Sequence, residues 1–160
     1  MKKYKHHTLK EYLDCLSART PVPGGGSAAA LTAALGASLI SMVAEYSQGK
    51  TTVKSIEHKI QRTIKKSQEI RDRLLTLVDQ DAEAYLKVAA TRKGPARERN
   101  KALRESRKVP FEVCRLCYQA IQLTPFLVQK GNQYLLSDVE VSVEMLLAAF
   151  KSAWVLTKEN

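Results

Sequence analysis

The chain has 160 residues and a formal net charge of +10, from 26 lysines and arginines against 16 aspartates and glutamates. That length fits one domain, residues 1–160, able to bury a core without disulfide or metal staples; the 44% apolar and 26% charged composition is that of an ordinary soluble protein. The basic excess points to an anionic partner, whether nucleic acid, an acidic membrane surface or a polyanionic small molecule, without choosing among them.

The start, Met1-Lys2-Lys3-Tyr4-Lys5-His6-His7, is basic but leads into no continuous apolar run, so no secretory signal is expected. Three cysteines, Cys15, Cys114 and Cys117, form no disulfide-like framework and suit a reducing cytoplasm. A first helix is predicted near Thr8–Ala18, with Leu9, Tyr12, Leu13 and Leu16 on one face. Ser27 is a good cap for a second helix ending near Ser47–Gly49. A long third helix runs from about Val53 to Ala90, along a stripe from Ile56, Ile60 and Ile64 to Ala82, Tyr85 and Leu86. Gly94-Pro95 ends it and opens a fourth helix carrying Leu103 to Ile121, in which Pro110 should produce a kink. Thr124-Pro125 to Gly131 reads as a break, and Ser137 or Asp138 caps a last helix to the C-terminus. No stretch alternates with period two for long, so the predicted fold is all-α, a helical bundle with a long central helix.

The stretch Thr20 to Lys50, TPVPGGGSAAALTAALGASLISMVAEYSQGK, decides most of the functional reading. It lacks the Gly-Lys-Ser/Thr and the preceding strand of a phosphate-binding loop. Its alanine-rich run falls short of the about 20 apolar residues of a membrane span. Small residues recur four apart, as Ala29, Ala33 and Ala37 and as Thr32, Gly36 and Ile40, so this helix is expected to be buried centrally or at a subunit interface. Gly24, Gly25 and Gly26 either make a tight turn or bring bare backbone N–H groups and a helix dipole to a ligand.

Pro21-Val22-Pro23-Gly24-Gly25-Gly26-Ser27-Ala28-Ala29-Ala30 and the small-residue helix to Met42-Val43-Ala44 resemble the start of the formiminotetrahydrofolate cyclodeaminase and methenyltetrahydrofolate cyclohydrolase family. Asp79-Gln80-Asp81-Ala82-Glu83-Ala84-Tyr85 resembles the acidic segment of that family. Val109-Pro110, Gly131-Asn132 and Ser137-Asp138 follow in matching order. Of the family's late asparagine-rich stretch only Asn160 matches, and Leu156 stands where another asparagine is expected.

The resemblance implies a tetrahydrofolate substrate and one of two reactions. Either N10 attacks the formimino carbon on N5 and ammonia leaves, or water adds to the methenyl carbon. It implies catalytic roles for Asp81 and Asp138 and substrate contacts for Gly24, Gly25, Gly26, Ser27, Tyr85, Asn132 and Asn160. It implies no metal and no separate cofactor. The bland alternatives are an exposed helix acid for Asp81, of the kind expected for Asp79 and Glu83, and a helix cap for Ser27 and Asp138. Asn132 could equally be a turn residue. The rival functional reading is a non-catalytic helical binding or assembly protein on the same scaffold. Self-association as a homodimer through small-residue helix faces is expected.

Cys114-Arg115-Leu116-Cys117 has no second pair to complete a zinc site and lies inside a helix, so free thiols are expected. His6, His7 and His58 stand apart from any ligand pattern. The basic run from Arg92 to Lys108 reads as a solvated helix face that could also attract the glutamate tail of a folate. It lacks the interleaved aromatics of a nucleic-acid surface, so neither nucleic acid nor a membrane is the expected partner.

Overall fold

A computed structural model describes residues 3–158, so Asn160 lies outside the described residues. The chain is all-α. In chain order come a short 3-10 turn (Tyr4–His6), α1 (Leu9–Ser17), α2 (Gly25–Ser47), α3 (Lys54–Ala90), α4 (Ala96–Ser106), α5 (Lys108–Ile121), α6 (Thr124–Lys130), a second 3-10 turn (Gln133–Leu135) and α7 (Leu136–Lys158).

Helix α2 is the axis of the bundle. Ala30, Ala33, Ala37, Ile40, Val43 and Ala44 are fully enclosed, packed chiefly against α3 and α7 of the same chain. Gly36 is where α7 comes closest: a Cβ there would meet the Leu146 side chain and stand 3.0 Å from the Ser142 carbonyl oxygen. Of the two placements expected for the alanine and glycine face, central or at a subunit interface, the central one holds for these residues, because small side chains let two of the chain's own helices approach closely. By length and composition α2 is long and apolar enough to cross a membrane, which the sequence estimate denied; 61% of its most apolar window is buried inside the bundle.

Several element boundaries differ from expectation for identifiable reasons. Helix α2 starts at Gly25 with Gly24 as its cap, so Ser27 lies in the first turn rather than at the cap. Gly49, at φ 70°, turns the chain beyond α2. The expected fourth helix is two helices that meet at Arg107. Pro110 is the third residue of α5, where its missing N–H would have had no helical partner, so no kink is needed. The supposed break at Thr124-Pro125 contains α6, which has proline in its first turn. Asp138 lies in the first turn of α7, past the start at Leu136, and does not cap it. Thr8 caps α1 in a full capping box with Glu11, but only Tyr12 of the expected α1 face is buried; Leu9 and Leu13 are exposed. Asp79 is buried and accepts the Tyr4 backbone N–H at 2.6 Å, tying the N-terminal turn to α3.

Candidate functional site

The N-terminus of α2 points at the middle of α3. Ser27 N–H donates to Asp81 Oδ2 at 2.9 Å. Gly26 is buried directly beneath that carboxylate, and any Cβ at Gly26 would overlap it. Glycine is therefore required here for close approach. The Ser27 side chain turns away from the cavity: it is fully buried, and its Oγ pairs with the Tyr12 hydroxyl at 3.0 Å. Ser27 thus supports Asp81 through its backbone, and its hydroxyl is not available to a ligand. Burial raises the Tyr12 phenol above its ordinary range, so it stays neutral.

Asp81 opens onto a cavity of about 350 Å³ whose walls include Gly24, Gly25, Gly26, Tyr85, Arg92 and Leu156. Two effects oppose each other at its carboxyl. Burial penalises the charge and pushes its pKa up, while the Ser27 N–H at the helix terminus favours the anion; burial is the larger, and the pKa lies above the ordinary carboxylate range. Such a carboxylate is a better proton acceptor than a solvated one and can return the proton later in a reaction.

A larger cleft, about 700 Å³, lies alongside between α3 and α4 and shares Ala84 and Ser106 with the first. Several of its charges already satisfy one another: Arg73 grips Glu112 at 2.9 and 2.6 Å, and Lys108 meets Glu105 at 2.7 Å. Those pairs hold the walls together, and the cleft's half-buried acid, Glu112, is held below the ordinary carboxylate range by its hydrogen bonds to Arg73, the opposite of what a proton acceptor needs. The smaller cavity is the candidate site.

The remaining expected residues lie elsewhere. Asn132 sits beside Ser47, at the opposite end of α2 from the glycines; twenty residues of helix put the two ends about 30 Å apart. Its backbone N–H donates to Ser47 Oγ at 2.8 Å and its Oδ1 accepts the Tyr134 N–H at 3.1 Å. Asp138, half-buried in the first turn of α7, belongs to the same far end. One chain therefore brings together Gly24–Gly26, Asp81 and Tyr85, and leaves Asn132 and Asp138 apart from them. Two further wall residues entered the sequence reading only indirectly, Pro110 as a family landmark and Arg92 as the start of the basic run; Asp81, Tyr85 and Val88 lie along one side of α3, and Arg92 follows in the turn beyond its end. Cys114 and Cys117 are free and buried, and burial pushes the Cys117 thiol up to about 12, so neither is a poised nucleophile. Among the described residues no three His, Cys, Asp or Glu side chains gather as metal ligands.

The formiminotransferase-cyclodeaminase family model matches residues 8–160. The methenyltetrahydrofolate cyclohydrolase of Methylorubrum extorquens is 32% identical over 158 residues, spanning 92% of this chain and 76% of that protein. The formimidoyltransferase-cyclodeaminase of Rattus norvegicus is 32% identical over 149 residues; the match takes in 87% of this chain but only 28% of the rat protein. The crystal structure of formiminotetrahydrofolate cyclodeaminase from Thermotoga maritima superposes with a TM-score of 0.92 at 29% identity, over 96% of this chain and 77% of that one.

Proposed function

The chain belongs to the formiminotransferase-cyclodeaminase family, and from that premise we propose that it is a folate one-carbon enzyme using Asp81 as its proton-transfer group. It either cyclises 5-formiminotetrahydrofolate to 5,10-methenyltetrahydrofolate with loss of ammonia or hydrolyses the methenyl compound to 10-formyltetrahydrofolate. The observation that carries this reading is the half-buried carboxylate clamped on the glycine-lined start of α2, with its pKa raised and a cavity in front of it. In cyclisation Asp81 would take the proton from N10 as the N10–carbon bond forms, and return it to the departing amino group. In hydrolysis it would take a proton from the attacking water and supply one to the nitrogen released on ring opening. Full-length protein is incubated with each substrate, and the methenyl absorbance is followed. Growth of that band from the formimino substrate identifies the cyclodeaminase, and its decay above the spontaneous rate identifies the cyclohydrolase; the absence of both overturns the enzyme reading.

Leu156 favours a second reading. It lines the cavity where the family resemblance leads one to expect asparagine, and an apolar side chain supplies no polar contact. A protein that binds folate, gaining thermal stability with occupancy, without turnover would be the non-catalytic relative.

The proposal includes a cytoplasmic homodimer with a shared site. Gly36 faces Ser142 and Leu146. In antiparallel helices the residues just before such a facing pair share one side, which groups Leu35 with Val141, each about half exposed. A shallow groove lined by Ala28, Thr32, Ala148 and Ser152 continues that side. A two-fold axis crossing α2 near its midpoint at Leu35 would lay the two α2 helices antiparallel. It would thereby carry the partner subunit's Asn132 and Asp138 to the glycine end. Leu35→Lys should yield monomers with lost turnover, read by solution mass and activity together. An unchanged mass leaves the outer α2–α7 face unoccupied.

A further inference from the structure

We propose that Arg92 is the specificity residue that binds the carboxylate end of the substrate and so fixes which end meets Asp81. The inference rests on the folate reading above and adds to it a direction of binding. The cavity wall carries two charged side chains, Asp81 and Arg92. Asp81 lies within α3 and Arg92 in the turn just beyond its end: ten residues, about 15 Å of helical rise, separate Asp81 from the cap residue Thr91, and Arg92 is next. Between them the helix presents Ala84, Tyr85 and Val88, a mostly apolar floor. A ligand fitting this slot has a nitrogen-rich or cationic reacting end, an aromatic or apolar middle, and an anionic end about 15 Å away. A tetrahydrofolate with its terminal glutamate has that layout.

The Arg92 guanidinium is available for the task. It is exposed, and among the described residues it has neither an ion pair nor a side-chain hydrogen bond, unlike Arg73, whose fork is filled by Glu112. A free planar fork accepts a carboxylate through two parallel N–H···O bonds, which a lysine ammonium cannot reproduce. Lys87, by contrast, lines the neighbouring cleft with Glu83 and Glu98. It offers a nearby cation on the same helix with a different outlook.

The test compares wild type, Arg92→Gln, Arg92→Lys and Lys87→Gln on 5,10-methenyltetrahydrofolate and on its analogue with both glutamate carboxyls converted to amides. Arg92→Gln should raise KM for the acid about tenfold, the scale of one charge-assisted contact at an exposed site. It should leave KM for the diamide unchanged and lower kcat less than threefold. Arg92→Lys should fall between, and Lys87→Gln should move neither KM by more than about twofold. Equal losses on acid and diamide would assign Arg92 a structural role only. Equal effects of Arg92→Gln and Lys87→Gln would reduce the result to the general positive field. Either outcome, or no change in KM, overturns the assignment while leaving the folate reading intact. A wild type that neither binds nor converts the folate overturns that reading, and the Arg92 assignment falls with it.

Discussion

The two ends of α2 use similar residues in different ways. At the Gly24–Ser27 end, backbone N–H groups meet a carboxylate from a distant part of the chain, and a cavity opens in front of it. At the Ser47 end, Asn132 gives its N–H to the Ser47 hydroxyl and its side-chain oxygen to the local turn, and Tyr134 beside it is almost fully exposed. The first end has the concavity and the desolvated acid of a binding site; the second is a well-satisfied helix junction. The difference teaches that motif residues adjacent in a family pattern need not converge within one chain. Under the shared-site proposal the far end contributes through a second copy.

The strongest way to break that contrast is at Asp81. Asp81→Asn keeps the shape and can still accept the Ser27 N–H, but it loses basicity, so turnover should fall about 10²–10⁴-fold with helical content unchanged. Activity at the wild-type level would remove Asp81 from the mechanism. Gly26→Ala should come next. Its new methyl would overlap the Asp81 carboxylate, a side-chain end that can shift, so stability should drop by only about 1 kcal/mol, at the low end for overpacking. Turnover should drop by about 10², the scale of a reacting group displaced by an ångström. Gly36→Ala, pressed against the Ser142 carbonyl, is the matched control: stability should suffer and the site should not. A Gly26→Ala enzyme with unimpaired turnover would mean that Asp81 need not sit where it does.

Asp138→Asn tests the far end at smaller amplitude. Under the shared-site proposal it should lower turnover about tenfold, the lower edge of a single proton-transfer or polar contact. Mixing Asp81→Asn chains with Asp138→Asn chains should then recover activity, because a hybrid dimer assembles one intact site. Loss without recovery on mixing would confine Asp138 to its own subunit, and no loss at all would leave it as a first-turn acid of α7.

Much of the fold was legible because its signals are local. The 3.6-residue stripes along α3 and the Gly94-Pro95 stop act within a few turns, and the expected ends of α3 fall within one residue of those observed. Proline misled twice, since its cost depends on position: at the third residue of α5 and in the first turn of α6 it removes an N–H the helix does not use. The site was less legible. Asp81 stood out only through the family resemblance. Its neighbour Asp79 looked equally exposed in sequence, yet it is buried against the Tyr4 N–H, a contact between residues 75 positions apart. Ser27 read as a cap because the glycines conceal that the helix begins two residues earlier. Arg92 belongs to a run of basic residues, and what sets it apart from the others is its place on the wall of the Asp81 cavity, which the sequence does not display.

The titration of Asp81 tests the glycine end without any substrate. Its carboxyl pKa is raised on folding, so the folded chain holds that proton more tightly than the unfolded chain. The resulting stabilisation is fully present below the unfolded value of about 4 and is lost as pH rises through the raised folded value. Asp81→Asn removes this dependence. The melting temperature of the variant relative to wild type should therefore climb as pH rises from about 4 through the raised folded value. A relative stability that falls over that range would mean that the charged form is favoured in the fold, contrary to the burial at this site.

The smallest expected effect concerns the basic helix beside the glycine end. No residue of α4 is buried; Arg97, Arg104 and Arg107 line a shallow groove on it, and it follows directly on the Arg92 turn. Exposed charges attract a chain of carboxylates weakly and over about a Debye length, near 10 Å at 0.1 M salt. A folate carrying several glutamates should therefore bind more tightly than the monoglutamate by a few-fold at low ionic strength, and the gap should close as salt rises. Substituting glutamine at Arg97 and Arg104 together should shrink the gap and leave monoglutamate binding and kcat near wild type, since neither residue lines the Asp81 cavity. Measuring both ligands by fluorescence titration at two salt concentrations checks this. Equal affinities at low salt would leave the face as ordinary solvated surface. Salt-sensitive binding of RNA or DNA with no preference between the folates would assign the positive charge of α4 to nucleic acid instead.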